Sequence, residues 1–109
     1  MREQILQYIR EMGGGVSFAE LERELGESVR GDLSLCIGEA IILWPNVSQD
    51  FADAFDDLID SRSIEMRPTS FLVYLVDGKT LSLPLARGNY KYRKLHWLPI
   101  CLYPKAEQA

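Results

Sequence analysis

Ser48-Gln49-Asp50-Phe51-Ala52-Asp53-Ala54-Phe55-Asp56-Asp57-Leu58-Ile59-Asp60 is the stretch on which the reading of the fold turns. Phe51, Ala54, Phe55, Leu58 and Ile59 stand at i, i+3, i+4, i+7 and i+8, which puts them on one apolar face of an α-helix. Ser48 (or Asn46) precedes the run as an N-cap, and Asp50 suits the positive end of the helix dipole. The opposite side carries Gln49, Asp50, Asp53, Asp56, Asp57 and Asp60 and no lysine or arginine.

Toward the N-terminus, Ile41-Ile42-Leu43-Trp44 reads as a short strand ended by Pro45 and Asn46. Ile5, Ile9 and Met12, with Tyr8 beside them, mark a first helix over residues 2–12, stopped by Gly13-Gly14-Gly15. Ser17 and Glu20 form a capping-box pattern for a second helix, whose stripe is Phe18, Leu21 and Leu25 and whose end is Gly26. Residues 27–42 admit two readings: Leu33, Leu35 and Ile37 alternate as in a strand, and one helical turn after Asp32 fits as well.

Toward the C-terminus, Ser63–Arg67 and Phe71–Val76 flank Pro68-Thr69-Ser70 and predict a hairpin whose second strand is apolar on both faces. Asp77-Gly78 predicts a tight turn. Leu81, Leu83 and Leu85 alternate in a third strand, which Pro84 confines to an edge or bulge. A basic, aromatic loop from Arg87 to Trp97 leads to the apolar run Leu98–Tyr103, and residues 105–109 read as a flexible tail.

The helix, helix, short strand, helix, hairpin order resembles the winged helix-turn-helix superfamily. The likeness rests on Ile5–Met12, on Phe18-Ala19-Glu20-Leu21-Glu22-Arg23-Glu24-Leu25, on Leu58–Ile64 and on Phe71–Val76. It covers residues 2–78; residues 79–104 read as a β extension, and residues 79–109, with the phrases Leu83-Pro84 and His96-Trp97-Leu98-Pro99, look like small uncharacterised prophage-type bacterial proteins. The resemblance implies one α+β domain over residues 1–109, with three helices, a small antiparallel sheet and a C-terminal strand extension. It also implies DNA binding, usually through the third helix in the major groove and the wing on the backbone. Five carboxylates on that helix oppose such a role. At close range each repels a phosphate by about 1 kcal/mol or more in a surface dielectric, and none releases counterions.

The net charge of −4 conceals a division along the chain. Residues 1–60 hold four arginines, no lysine and thirteen acids, a balance of −9, whereas residues 61–109 stand at +5. Two surfaces of opposite sign are expected. The first hypothesis is nucleic-acid binding through Arg67, Lys79, Arg87, Lys91, Arg93, Lys94 and Trp97, where cations interleaved with Tyr90 and Tyr92 suit phosphate neutralisation and base stacking. The competing reading makes Tyr90 and Tyr92 core residues of a strand whose lysine and arginine merely face water. The second hypothesis is a protein partner docking on Asp50, Asp53, Asp56, Asp57 and Asp60, or a homodimer that pairs the two oppositely charged halves. A plain solvated helix face is the bland alternative.

Catalysis is not expected. His96 is the single histidine, and with Cys36 and Cys101 it forms no metal-ligand spacing. The glycine run precedes no Lys-Ser or Lys-Thr pair, and no serine lies in a nucleophile motif. No metal and no small-molecule cofactor is called for. Both cysteines are read as buried free thiols, with a single Cys36–Cys101 bridge as the alternative. Met1-Arg2-Glu3-Gln4 begins an amphipathic pattern and no signal region, and no apolar run reaches the roughly 18 residues of a membrane span. A cytoplasmic location follows as the expectation.

Overall fold

Ile5, Leu6 and Ile9 are the buried side of the first helix, α1 (Arg2–Met12), in a computed structural model that describes residues 1–87 and 91–105. Met12, placed on the stripe by its spacing, is 53% exposed, and Leu6 takes its part in the core. The chain then makes a short strand, β1 (Val16–Ser17), before α2 (Phe18–Leu25). Ser17 caps α2 by accepting from the Glu20 amide at 3.0 Å, as the capping box predicts. The Glu20 carboxylate accepts from the Tyr8 hydroxyl, which ties α2 to α1.

A 3-10 turn (Gly26–Val29) leads into β2 (Arg30–Ile37), which pairs antiparallel with β3 (Ile41–Val47). Of the two readings for residues 27–42, the strand is therefore the one adopted. At its base the hairpin presses on the next helix: a Cβ on Gly31 would lie 2.6 Å from the Ser48 Cα, so only glycine fits there. Ser48 caps α3 (Gln49–Asp60) by accepting from the Phe51 amide at 3.1 Å, and its own hydroxyl donates to the Ser28 carbonyl at 2.7 Å. The predicted apolar face of α3 is buried at Phe51, Ala54, Phe55 and Leu58, and Ile59 packs on its rim.

After α3 the structure departs from the predicted hairpin. β4 (Ile64–Pro68) is a strand, but Phe71–Val76 is not its partner: Phe71–Asp77 is a helix, α4. Six consecutive apolar residues carry no alternation that would favour a strand, and the segment is bracketed by helix signals. The Ser70 hydroxyl accepts from the Leu72 amide at 3.2 Å, and Gly78, at φ +91°, takes the left-handed C-cap that a side chain would strain. Asp77-Gly78 is thus a helix stop and not a hairpin turn. The predicted third strand through Leu81, Leu83 and Leu85 reduces to one bridge, Leu85 to Trp97. Three helices become four among the described residues.

The partner of β4 is the last strand, β6 (Ile100–Pro104). β6 runs antiparallel between β1 and β4, with Val16 opposite Leu102 and Met66 opposite Leu102 on its other side. β5 (His96–Trp97) lies parallel to β3 and completes a second three-stranded sheet in the order β2-β3-β5. The described residues therefore form an α+β fold of four helices and two small sheets. Lys105 is held to it by a 3.1 Å bond from its amide to the Ser63 carbonyl, while the rest of the predicted tail (106–109) lies outside the described residues.

One apolar core joins these elements, and its centre is aromatic. The Phe18 ring lies 5.3 Å from Phe55 and 6.3 Å from Trp44, and Tyr74 lies 5.3 Å from Trp44 and 5.0 Å edge-on to Trp97. Tyr74 is the one buried residue of α4. Its hydroxyl donates to the Ile100 carbonyl at 2.6 Å and accepts from the Phe18 amide at 3.1 Å. Burial pushes its pKa well above the ordinary tyrosine value.

Tyr74→Phe is expected to cost about 1–3 kcal/mol, because it leaves a buried amide and carbonyl without that partner. The drop should be read as a lower urea midpoint by tryptophan emission. The pH response has a definite sign. The unfolded phenol ionises near about 10 while the folded one resists, so the hydroxyl's contribution is fully present below that pH. It is lost as pH rises further, and the Tyr74→Phe protein should show a shallower alkaline loss of stability.

Candidate interaction surfaces

Glu22 is buried on α2 and requires a counter-ion. Lys79, just after α4, supplies it: Nζ donates to the two carboxylate oxygens at 2.8 and 3.0 Å and lies 5.7 Å from the Trp44 ring centroid. Lys79 therefore has a structural role, and it also stays exposed, as its nomination as a phosphate contact requires. Arg67 is likewise engaged, on the Glu65 carboxylate and 4.2 Å above the Tyr103 ring. Trp97 is a core residue at 1% exposure, with its indole N–H on the Leu43 carbonyl at 3.3 Å. It has no face left on which a base could stack.

Of the seven nominated residues all but Trp97 are exposed, and Arg87, Lys91, Arg93 and Lys94 lie close together in the chain. Their segment is organised by rings. Tyr92 stacks on His96 at 3.9 Å between centroids, and the Tyr92 hydroxyl accepts from the Arg87 amide at 3.0 Å. The His96 Nδ1 lies 2.7 Å from the Lys94 carbonyl. Tyr92 is half-buried outside any strand, and Tyr90 lies outside the described residues. Lys91 and Tyr92 line a hollow with residues 37–41, at the tip of the β2–β3 hairpin.

Asp50, Asp53, Asp56, Asp57 and Asp60 are all exposed on the outer side of α3. Asp50, Asp53, Asp57 and Asp60 follow i, i+3, i+7 and i+10, which lays a row of carboxylates about 15 Å long on one side of the helix. Arg2 hydrogen-bonds Asp57, and Gln49 donates to Asp53 at 2.8 Å. The two charged surfaces lie at opposite ends of β3. α3 begins just after Val47, while His96 pairs opposite Ile41, and six residues of strand span about 20 Å.

Cys36 is exposed and Cys101 buried, both as free thiols, so burial holds for Cys101 alone. Desolvation raises the Cys101 thiol above its ordinary pKa. His96 is engaged with Tyr92 and the Lys94 carbonyl.

A third surface is absent from the sequence reading. Phe71, Leu72, Leu75 and Val76 leave α4 between 42% and 85% exposed, and Leu85 beside them is 43% exposed. The signal for it is the pair Ser70 and Gly78, which marks residues 71–77 as helical and so turns most of this apolar run away from the one buried position, Tyr74.

Set against known proteins, the chain matches no family model, and no curated protein or solved structure is significantly similar to it.

Lys79→Ala is expected to lower stability by about 1 kcal/mol, since it strips the buried Glu22 of its donor at a half-exposed pair. Lys91→Ala should stay within about 0.5 kcal/mol of the parent. Urea titrations of the two variants make the comparison, and equal effects would remove the structural role given to Lys79.

Proposed function

We propose that this chain is a non-catalytic adaptor on a winged-helix frame, which engages a basic protein surface through the outer side of α3. The observation that carries the reading is the exposure of all five aspartates on one rigid helix. Two features of the topology support the frame. α1, β1, α2 and α3 come in winged-helix order, and β4 and β6 close an antiparallel sheet with β1 in the order β1-β6-β4. In this reading the β2–β3 hairpin is an insertion between the second and third helices, and residues 69–99, with α4 and β5, stand where a simple wing would be.

A winged-helix domain commonly presents its third helix to DNA. Here that helix would set a row of carboxylates against phosphates, each pair repelling by about 1 kcal/mol. The same row attracts lysine and arginine. It steers a basic partner from a distance, with a rate that falls as salt rises. A protein that itself binds DNA offers such a surface.

A second reading keeps nucleic acid as the ligand, at the other end of the molecule. It is favoured by the exposure of Arg87, Lys91, Arg93 and Lys94 together, about 20 Å of strand away from the α3 acids. Trp97 is buried and leaves the set, while Arg67 and Lys79 stay exposed with their charged heads on Glu65 and Glu22.

Anisotropy of labelled DNA and affinity capture from lysate of the source cell separate the two readings. The adaptor reading expects no anisotropy change on duplex or single-stranded DNA, even at about 50 mM salt. It expects basic proteins to be captured by the parent and by Lys91→Glu with Arg93→Glu. Capture should fail with Asp53→Lys and Asp56→Lys, positions chosen to spare the Arg2–Asp57 pair. Salt-sensitive DNA binding that disappears with Lys91→Glu and Arg93→Glu would favour the second reading instead.

A further inference from the structure

We propose that β2 is an open sheet edge on which a basic partner docks as an added, extended strand. The inference rests on the adaptor reading for the charge of the partner and adds the form in which that partner is bound.

The order β2-β3-β5 leaves one side of β2 without a neighbour, and among the described residues its main chain bonds to β3 alone. Such a side presents a row of N–H and C=O groups, and what satisfies the row is another extended main chain. The remaining edges are blunted. β1 and β5 are two residues long, and β4 carries Glu65 and Arg67 and ends on Pro68. The segment Leu33-Ser34-Leu35-Cys36-Ile37 of β2 holds no charge and no proline, and Leu33, Ser34 and Cys36 are exposed. Its pairing is irregular, but here the inserted residues belong to β3. β2 advances four residues from Leu33 to Ile37 while β3 covers six, from Val47 to Ile41. The strand that carries a bulge is the one that bends, so β2 stays continuous over this segment. Its own inserted residues lie earlier, where Arg30 and Leu33 share Val47.

The charges around this edge set the chemistry of the strand that fits it. Between residues 26 and 40, Glu27, Asp32 and Glu39 stand against Arg30, and all four are exposed. At the base of the hairpin Gly31 meets Ser48, the cap of α3, so the aspartates of that helix follow directly. The tip, in contrast, shares a hollow with Lys91. A strand laid along β2 therefore gains most from lysine or arginine at the end that lies over the base, where the partner continues onto α3. Main-chain bonds hold such a strand in place, and the cations decide which strand is held.

Fluorescence anisotropy of a labelled Val-Thr-Val-Thr-Val-Lys-Lys peptide, under reducing conditions because Cys36 is an exposed free thiol, tests the edge. An antiparallel strand brings its lysines over the base of β2. The parent should bind it with a dissociation constant on the order of 100 µM at about 50 mM salt. N-methylating either the valine or the threonine amides blocks one edge of the peptide. One of the two patterns should weaken binding about ten-fold or more and the other should be tolerated. Replacing the two lysines by glutamates should weaken it as much, and so should Leu33→Lys with Ser34→Lys in the protein, with far-UV circular dichroism unchanged. The methylated peptides keep the test open if that variant unfolds. No binding up to about 1 mM overturns the proposal. Binding that ignores both methylation patterns, or that is equal for the glutamate form, also overturns it. Sedimentation equilibrium covers the remaining occupant: an apparent mass above 12.4 kDa that Leu33→Lys with Ser34→Lys abolishes would give the edge to a second copy and overturn it too. None of these results touches the adaptor reading, which stands or falls on the lysate capture with Asp53→Lys and Asp56→Lys.

Discussion

The hydroxyl of Tyr74 holds together three parts of the chain that are far apart in sequence. It bonds the first residue of α2 through the Phe18 amide and the first residue of β6 through the Ile100 carbonyl, while its ring packs on Trp44 and Trp97. Because the phenol is buried and both bonds are directional, α4 has little freedom to rotate. That orientation leaves Phe71, Leu72, Leu75 and Val76 in the solvent. It also brings Asp77 to Ser17 and Lys79 to Glu22, so one anchor sets both the exposed apolar face and the two polar ties beside it.

The helices with caps and a 3.6-residue apolar rhythm are legible in the amino-acid sequence. Ser17 and Ser48 act as the caps their positions suggest, and the face of α3 is buried where its spacing places it. Legibility fails where the period is missing. Phe71–Val76 is apolar at every position, so its pattern alone does not separate a helix from a buried strand, and the flanking Ser70 and Gly78 decide for the helix. The pairing of β4 with β6 spans the whole of α4 and residues 79–95, and local pattern carries no trace of so distant a contact. The partners of Lys79 and Trp97 are hidden from the sequence for a related reason. Nothing near Lys79 in sequence announces Glu22, and nothing near Trp97 announces Tyr74 or Leu43.

What remains is a molecule with two charged surfaces and an exposed apolar face that adjoins Arg87. The acids ride on α3, a rigid helix seated on the core, while the cations ride on a ring-braced segment at the hairpin tip. Their separation is a consequence of β3, which carries one end to α3 and the other to β5. Such a division suits an adaptor, since each surface can be occupied without desolvating the other.

The fold and its exposed apolar face both require α4 to be a helix anchored by Tyr74, and nuclear magnetic resonance of the labelled protein tests that most directly. Helical Cα shifts and sequential amide–amide contacts over residues 71–77, together with contacts from the Tyr74 ring to Trp44 and Trp97, are the expected result. Extended shifts over residues 71–76, with cross-strand Hα–Hα contacts to residues 63–67, would restore the simple hairpin wing and contradict the helical anchor.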